Sequence, residues 1–123
     1  MRFRTLGMLA VVALAVAGLS IGAGGAAGST AKTKTCKPPK YPSAGYFTSL
    51  TVKGVTCAKG NQLIVAYYKC RTKSGLGGKC TAKKVLGYTC KESSRQMIPT
   101  EIDARVTCTY KTKKVVHTYE QDL

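Results

Sequence analysis

The sequence predicts an α+β domain in which one helix packs on a small, mainly antiparallel sheet, in the order β-α-β-β-β, stabilised by disulfides. Three observations predict this fold: one segment has helical spacing, four segments have strand character, and six cysteines follow an apolar leader. The 123 residues suffice for one domain but not for two. Because so short a chain buries only a modest core, we expect cross-links to contribute to its stability.

The first residues have the layout of a secretory signal peptide. Arg2 and Arg4 precede an uncharged apolar run over residues 8–22, and small residues follow this run. We therefore predict a signal peptide over residues 1–27 and a secreted, extracellular protein. An uncleaved anchor is the alternative, because about 20 apolar residues can span a bilayer. After cleavage, no stable membrane insertion is expected.

The remaining chain divides into an arm and a domain. Residues 28–45 contain Pro38, Pro39 and Pro42 and are predicted to form an extended N-terminal arm. Residues 46–123 are predicted to form a single disulfide-braced domain. This domain begins with a strand over residues 46–52.

A helix is predicted after the first strand, over residues 57–70. Thr56 is a favourable N-cap, and Leu63, Ile64 and Tyr67 recur at helical spacing. Three further strands are predicted after the helix, over residues 84–90, 104–110 and 115–119.

The last two predicted strands are close enough to form a hairpin. A two-residue turn at Thr112 and Lys113 would place Cys108 opposite His117, and Tyr110 opposite Val115.

An even number of cysteines in an exported chain indicates three disulfides, here among Cys36, Cys57, Cys70, Cys80, Cys90 and Cys108. The predicted helix would separate Cys57 from Cys70 by about 20 Å, well beyond the roughly 7 Å that a disulfide allows. The glycine-rich segment between Cys70 and Cys80 favours a local pair. For the other four cysteines we predict the pairs Cys57–Cys90 and Cys36–Cys108.

Three short motifs carry a resemblance to a group of bacterial proteins: Val55-Thr56-Cys57, Gly87-Tyr88-Thr89-Cys90, and Ala104-Arg105-Val106-Thr107-Cys108 before a Tyr-containing terminal strand. In these motifs the chain resembles uncharacterised short exported Cys-containing proteins of high-GC Gram-positive bacteria, over residues 47–119. The resemblance implies a related fold and compartment. It implies no activity and no functional residues.

The charge is strongly basic and unevenly distributed. The chain has 20 Lys and Arg against 5 Asp and Glu, a formal net charge of +15 at pH 7. Arg2 and Arg4 belong to the leader, so 18 basic residues follow it, and residues 31–91 hold 13 of these without one acid. Such a field raises the local concentration of anionic partners.

Lysine outnumbers arginine among these 18 residues by 15 to 3. Because Lys is a hydrated point charge without the fork of Arg, we predict salt-sensitive, weakly selective binding of anionic envelope or extracellular polymers. The predicted contacts are Lys37, Lys40, Lys53, Lys59, Lys69, Lys83 and Lys84. A solvated basic surface without a ligand is the alternative, and nucleic acid is not expected to be the intended partner of an exported chain.

The sequence contains no recognisable catalytic arrangement, so we do not expect an enzyme. Neither Ser43 nor Ser74 stands in a nucleophile elbow. Cys108 and His117 would face each other across the predicted hairpin, but Cys108 is expected to be oxidised.

Carboxylates and metal ligands are also sparse. Glu101 and Asp103 lie two positions apart on an extended segment, the minimum for paired-carboxylate chemistry, without a Trp that would support a sugar. With one His and no Cys-x-x-Cys, no metal site or other cofactor is predicted.

Inhibition of a secreted protease is the alternative function. A braced, extended loop can occupy an active site because it loses little entropy on binding. The candidate is an exposed loop around Met97, over residues 95–99, where Pro99 favours an extended backbone at Ile98.

Overall fold

The computed structural model describes residues 31–123, so the predicted signal peptide over residues 1–27 lies outside the described residues. The described chain confirms the predicted α+β class, with one helix on one antiparallel sheet. The elements are β1 (Lys34–Thr35), β2 (Gly45–Lys53), α1 (Cys57–Arg71), a 3₁₀ turn (Thr72–Ser74), β3 (Thr89–Ile98), β4 (Glu101–Tyr110) and β5 (Lys113–Asp122). Their order across the sheet is β1-β2-β5-β4-β3, and every neighbouring pair is antiparallel.

Helix α1 begins where the sequence predicts and buries one face against the sheet. The hydroxyl of Thr56 accepts a hydrogen bond from the backbone N of Lys59 at 3.1 Å and caps the first turn. The buried positions of the helix are Gly60, Leu63, Ile64, Tyr67 and Arg71. Their spacing of three and four residues forms a single stripe.

Gly60 sets how closely this stripe approaches β2. A Cβ at Gly60 would lie 2.6 Å from Cγ1 of Val52, inside van der Waals contact. Glycine at this position therefore lets the helix approach β2 closely, although it lowers helix propensity by about 1 kcal/mol relative to Ala.

The predicted arm packs against the domain from strand β1 onward. Strand β1 pairs with β2, and the backbone N of Cys36 donates to the carbonyl oxygen of Leu50 at 2.9 Å. The Tyr41 ring is buried and lies edge-on to Phe47 and Tyr68, at centroid distances of 4.7 and 5.2 Å. These contacts extend the core to one side of the helix.

The predicted strand over residues 84–90 is wrong in position. Val85 and Tyr88 form a tight turn, and β3 starts at Thr89 and continues to Ile98. The apolar alternation suggested a strand, but Leu86 and Gly87 adopt positive φ and reverse the chain. The polar segment that follows is extended because its backbone pairs with β4 at the sheet edge.

The register of the last hairpin also differs from the prediction. Cys108 lies opposite Val115 instead of His117, and Tyr110 lies opposite Lys113 instead of Val115. The two turn residues are therefore 111 and 112, one position earlier than predicted. Residue 111 is a lysine with a φ of 52°, a conformation that the sequence pattern does not reveal.

Three disulfides join the six cysteines, and no described cysteine is free. The predicted pair Cys70–Cys80 forms, with a Cα–Cα distance of 4.9 Å across the glycine-rich loop. Because disulfides form and persist in oxidising compartments, these bonds are consistent with a protein of such a compartment. The three bonds are Cys36–Cys57, Cys70–Cys80 and Cys90–Cys108.

The other two predicted pairs, Cys57–Cys90 and Cys36–Cys108, are wrong. Cys36 reaches Cys57 instead, at a Cα–Cα distance of 5.6 Å, because β1 runs beside β2 and the helix starts soon after β2 ends. Cys90 and Cys108 are directly opposite in the β3–β4 register, at a Cα–Cα distance of 4.0 Å. The sequence placed this strand too early in the chain, at residues 84–90, and therefore did not predict that Cys90 lies opposite Cys108.

Candidate functional site

The sheet has one covered face and one open face. On β4 the buried residues Ala104, Val106 and Cys108 point toward the helix, so Arg105 and Thr107 between them lie on the other face. The same alternation runs through β2 and β5. The open face is therefore a polar surface that no described element covers.

Charges on the open face are separated between its two ends. At one end, Glu101 lies opposite Asp122 and Asp103 lies opposite Glu120. These four residues are all the acidic residues of the chain except Glu92. Lys53 of β2 and Lys114 of β5 lie at the other end, and Arg105 of β4 lies between the two ends, two positions from Asp103.

The cationic end forms a hollow of about 180 Å³, here called the basic hollow. Lys53 of β2 and Lys114 of β5 are directly opposite each other in the register, and Arg105 of β4 completes the group. The residues that line the hollow are Thr33, Thr51, Val52, Lys53, Arg105, Lys114 and Val116. Three cationic residues and two threonines thus line one depression.

No carboxylate neutralises this group. Within residues 31–123 the single salt bridge joins Arg95 to Glu92 at 2.6 Å. Like charges that lie directly opposite on neighbouring strands repel each other and destabilise the pair. A bound anion would relieve this repulsion between Lys53 and Lys114.

The acidic end has the opposite electrostatic character. Side-chain oxygens of Glu101, Asp103 and Glu120 lie within 4.8 Å of one another. The charge of Glu120, followed by burial and the charge of Asp103, raises the pKa of Glu101. The sequence did not predict that Glu120 joins the other two acids. The acidic end therefore repels anions.

The seven predicted lysines do not converge on one site. Lys53 lies in the basic hollow, whereas Lys59 lies at a separate hollow of about 310 Å³ near the start of the helix. Lys83 and Lys84 are exposed and immediately precede the turn at Val85.

The remaining three predicted lysines lie on the side of the arm and the helix. Lys37 and Lys40 line a groove with the exposed ring of Tyr46. Lys69 is exposed on the outer helix face near Pro39.

Sequence reasoning missed Arg105 and Lys114 as partners of Lys53. Alternation along the predicted strand over residues 104–110 places Arg105 on the outer face, whereas Lys114 falls in the predicted turn before the last strand. The missing step was that β2 pairs with β5, a neighbour far away in sequence. Without that pairing, Lys53 appears isolated.

Arg71 is not available to a ligand. Its side chain is 1% exposed and donates hydrogen bonds to the carbonyl oxygen of Leu76 at 2.6 Å, and to Tyr41 Oη and Gln121 Oε1 at 2.8 Å each. The guanidinium also lies 4.4 Å from the ring centroid of Tyr119. Arg71 therefore joins the helix end to the arm, the glycine-rich loop and β5.

Arg95 is also engaged within the protein. A register shift between Ser93 and Gln96 lets Arg95 donate to the Glu92 carboxylate and to the carbonyl oxygen of Gly77, each at 2.6 Å. Among the three arginines that follow the leader, Arg105 alone is exposed.

The segment around Met97 is the end of edge strand β3 and not a connecting loop. Met97 lies opposite Ile102 in the β3–β4 register, and its side chain is 58% exposed. Pro99 and Thr100 form the turn into β4. Protease inhibition through this segment stays a prediction.

Comparisons with protein-family models, with curated proteins and with solved structures find no match to this chain. Within residues 31–123, no helix combines the length and apolar character that crossing a bilayer requires.

Proposed function

We propose that this chain is a secreted, non-catalytic protein that binds anionic envelope or extracellular polymers through the basic hollow. The observation that carries the proposal is the convergence of Lys53, Lys114 and Arg105 around one depression without a carboxylate partner. The three disulfides support a location outside the cytosol.

The size of the hollow indicates what it holds. Pockets that enclose a small organic ligand measure about 300–1,000 Å³, whereas this hollow measures about 180 Å³. It suits one ionised group, such as a phosphate or carboxylate, rather than a whole small molecule. Because the surrounding sheet face is open, a longer chain that carries such groups can pass across it.

The side chains favour weak selectivity. Two of the three cations are lysines, which attract anions without geometric selection, and Arg105 adds one bidentate donor. Exposed charges are screened by salt over about 10 Å at 0.1 M. Binding should therefore decrease steeply between low and moderate ionic strength.

A charge-reversal experiment tests whether location matters beyond total charge. The double variant K53E/K114E and the control K73E/K79E change the net charge by the same amount. Lys73 and Lys79 are exposed and follow the C-terminal end of the helix, outside the basic hollow. On a phosphate-bearing cell-wall polymer at low salt, we expect K53E/K114E to lose retention and the control to keep most of it.

Several results would contradict the proposal. Equal losses in the two double variants would mean that net charge alone drives retention. If the wild-type protein is not retained at low salt, or if added salt does not change its retention, an electrostatic site is rejected. Thermal melts of each variant check that a loss of retention does not come from unfolding.

A further inference from the structure

A tight turn near the start of the helix presents an apolar side chain to solvent. Val85 and Tyr88 exchange two backbone hydrogen bonds, at 2.8 and 2.9 Å, so the turn has two central residues. These are Leu86, with a φ of 46°, and Gly87, with a φ of 83°. Positive φ at both positions is the signature of a type I′ turn.

Leucine is an unfavourable residue at this position. Type I′ turns strongly prefer Asn, Asp or Gly, because a side chain at positive φ crowds the following carbonyl. Leu86 gains no compensating burial, since its side chain is 53% exposed. A strained residue that is also an exposed hydrophobe indicates a role outside the fold.

The neighbours of Leu86 combine aromatic and cationic groups. They enclose the hollow of about 310 Å³, with Lys59, Leu86, Gly87, Tyr88, Tyr110 and Lys113 as its lining. The ring of Tyr110 is 39% exposed and lies 5.6 Å from that of Tyr88. The ammonium groups of Lys111 and Lys113 lie 5.4 and 5.8 Å from the centroid of the Tyr110 ring.

No acidic residue lines this hollow, and the exposed Lys83 and Lys84 precede the turn. Tyrosine and lysine suit a membrane interface, because each has an apolar body and a polar tip. Basic residues near an anionic membrane surface are attracted to its headgroups. The combination is complementary to an anionic lipid bilayer.

We propose that the surface formed by Leu86, Tyr110, Lys59 and Lys113, the Leu86 surface, docks peripherally on anionic lipid bilayers. Leu86 and Tyr110 enter the headgroup region, and the lysines bind lipid phosphates. This is contact with a bilayer surface and not a membrane span. The proposal rests on the strained, exposed leucine and does not require the basic hollow.

The variant L86N separates docking from folding, because Asn is favoured at the first central position of a type I′ turn. We expect L86N to melt at or above the wild-type temperature. In cosedimentation with phosphatidylglycerol vesicles, its partitioning should decrease about tenfold, the effect of removing one inserted leucine. Its retention on the phosphate-bearing polymer, which has no acyl chains, should remain unchanged.

Each arm of this experiment has an outcome that overturns the proposal. Unchanged partitioning of L86N would remove Leu86 from the interaction. Equal losses from vesicles and polymer would show that the leucine does not act through the bilayer. Wild-type binding that is equally strong on phosphatidylcholine vesicles would remove the requirement for anionic lipid. The two proposals fail separately. K53E/K114E tests polymer retention at the basic hollow, whereas L86N tests vesicle binding at the Leu86 surface.

Discussion

Reduction of the three disulfides is expected to unfold the protein at 37 °C. The bonds close loops with sequence separations of 21, 10 and 18 residues. In the chain-entropy treatment, loops of this size each contribute about 3 kcal/mol to the free energy of unfolding. Their combined contribution is comparable with the roughly 5–15 kcal/mol that stabilises a whole domain.

Circular dichroism melts with and without a reductant measure this effect. The single-bond variant C36A/C57A should lose about 3 kcal/mol of unfolding free energy, because no other described disulfide joins the arm to the helix. C70A/C80A is a comparison that opens only the glycine-rich loop. A reduced protein that melts at the same temperature as the oxidised protein would contradict this account of stability.

Acidification is expected to destabilise the protein through His117. Its side chain is 1% exposed and Nδ1 has no hydrogen-bond partner. Burial, followed by the positive charge of Arg71, lowers the pKa of His117 from 6.5 to about 3. The ring lies edge-on to Phe47 and Tyr67, at centroid distances of 5.8 and 5.7 Å.

The sign follows from proton uptake by the unfolded chain. Above pH 6.5 the imidazole of His117 is neutral in both states, and its contribution to stability is fully present. As the pH falls from 6.5 to about 3, the unfolded chain binds a proton and the native protein does not. The free energy of unfolding then decreases by about 1.4 kcal/mol per pH unit.

The variant H117L isolates this contribution from other acid effects, because leucine has a similar volume and does not titrate. Chemical denaturation of both proteins should show that the wild-type protein loses several kcal/mol more than H117L between pH 6.5 and 3.5. Equal pH dependence in the two proteins would show that His117 is protonated in the native state as readily as in the unfolded chain.

Local patterns were sufficient for the helix and for three of the strands. Thr56 and the spacing of Leu63, Ile64 and Tyr67 predict α1, because capping and amphipathicity are encoded over short distances. Strand β3 was not predictable in this way. Its sequence is polar and it lies at the sheet edge, so backbone pairing with β4 rather than a buried face holds it extended.

Features that depend on long-range pairing could not be predicted from local patterns. The bond between Cys36 and Cys57 depends on β1 joining the sheet, and only two residues make that strand. Arg71 is buried because Tyr41 and Gln121 converge on it from distant segments, and no local pattern indicates this burial. A guanidinium without a carboxylate partner can be buried only where several hydrogen-bond acceptors surround it, as they do here.

The candidate site also depends on strand pairing that local patterns do not predict. The sequence predicted basic binding residues, and Lys53 lies in the basic hollow as one of them. Its neighbours Lys114 and Arg105 come from strands more than fifty residues away. The pairing of β2 with β5 brings Lys53 and Lys114 together, and the pairing of β4 with β5 adds Arg105.

The most direct test of the proposed function is an NMR titration of the ¹⁵N-labelled protein with a short inorganic polyphosphate at low salt. We expect amide shifts centred on Thr51, Lys53, Arg105 and Lys114, and we expect added salt to reverse them. Shifts of equal size at the exposed Lys73, or no shifts at all, would contradict a localised anion site.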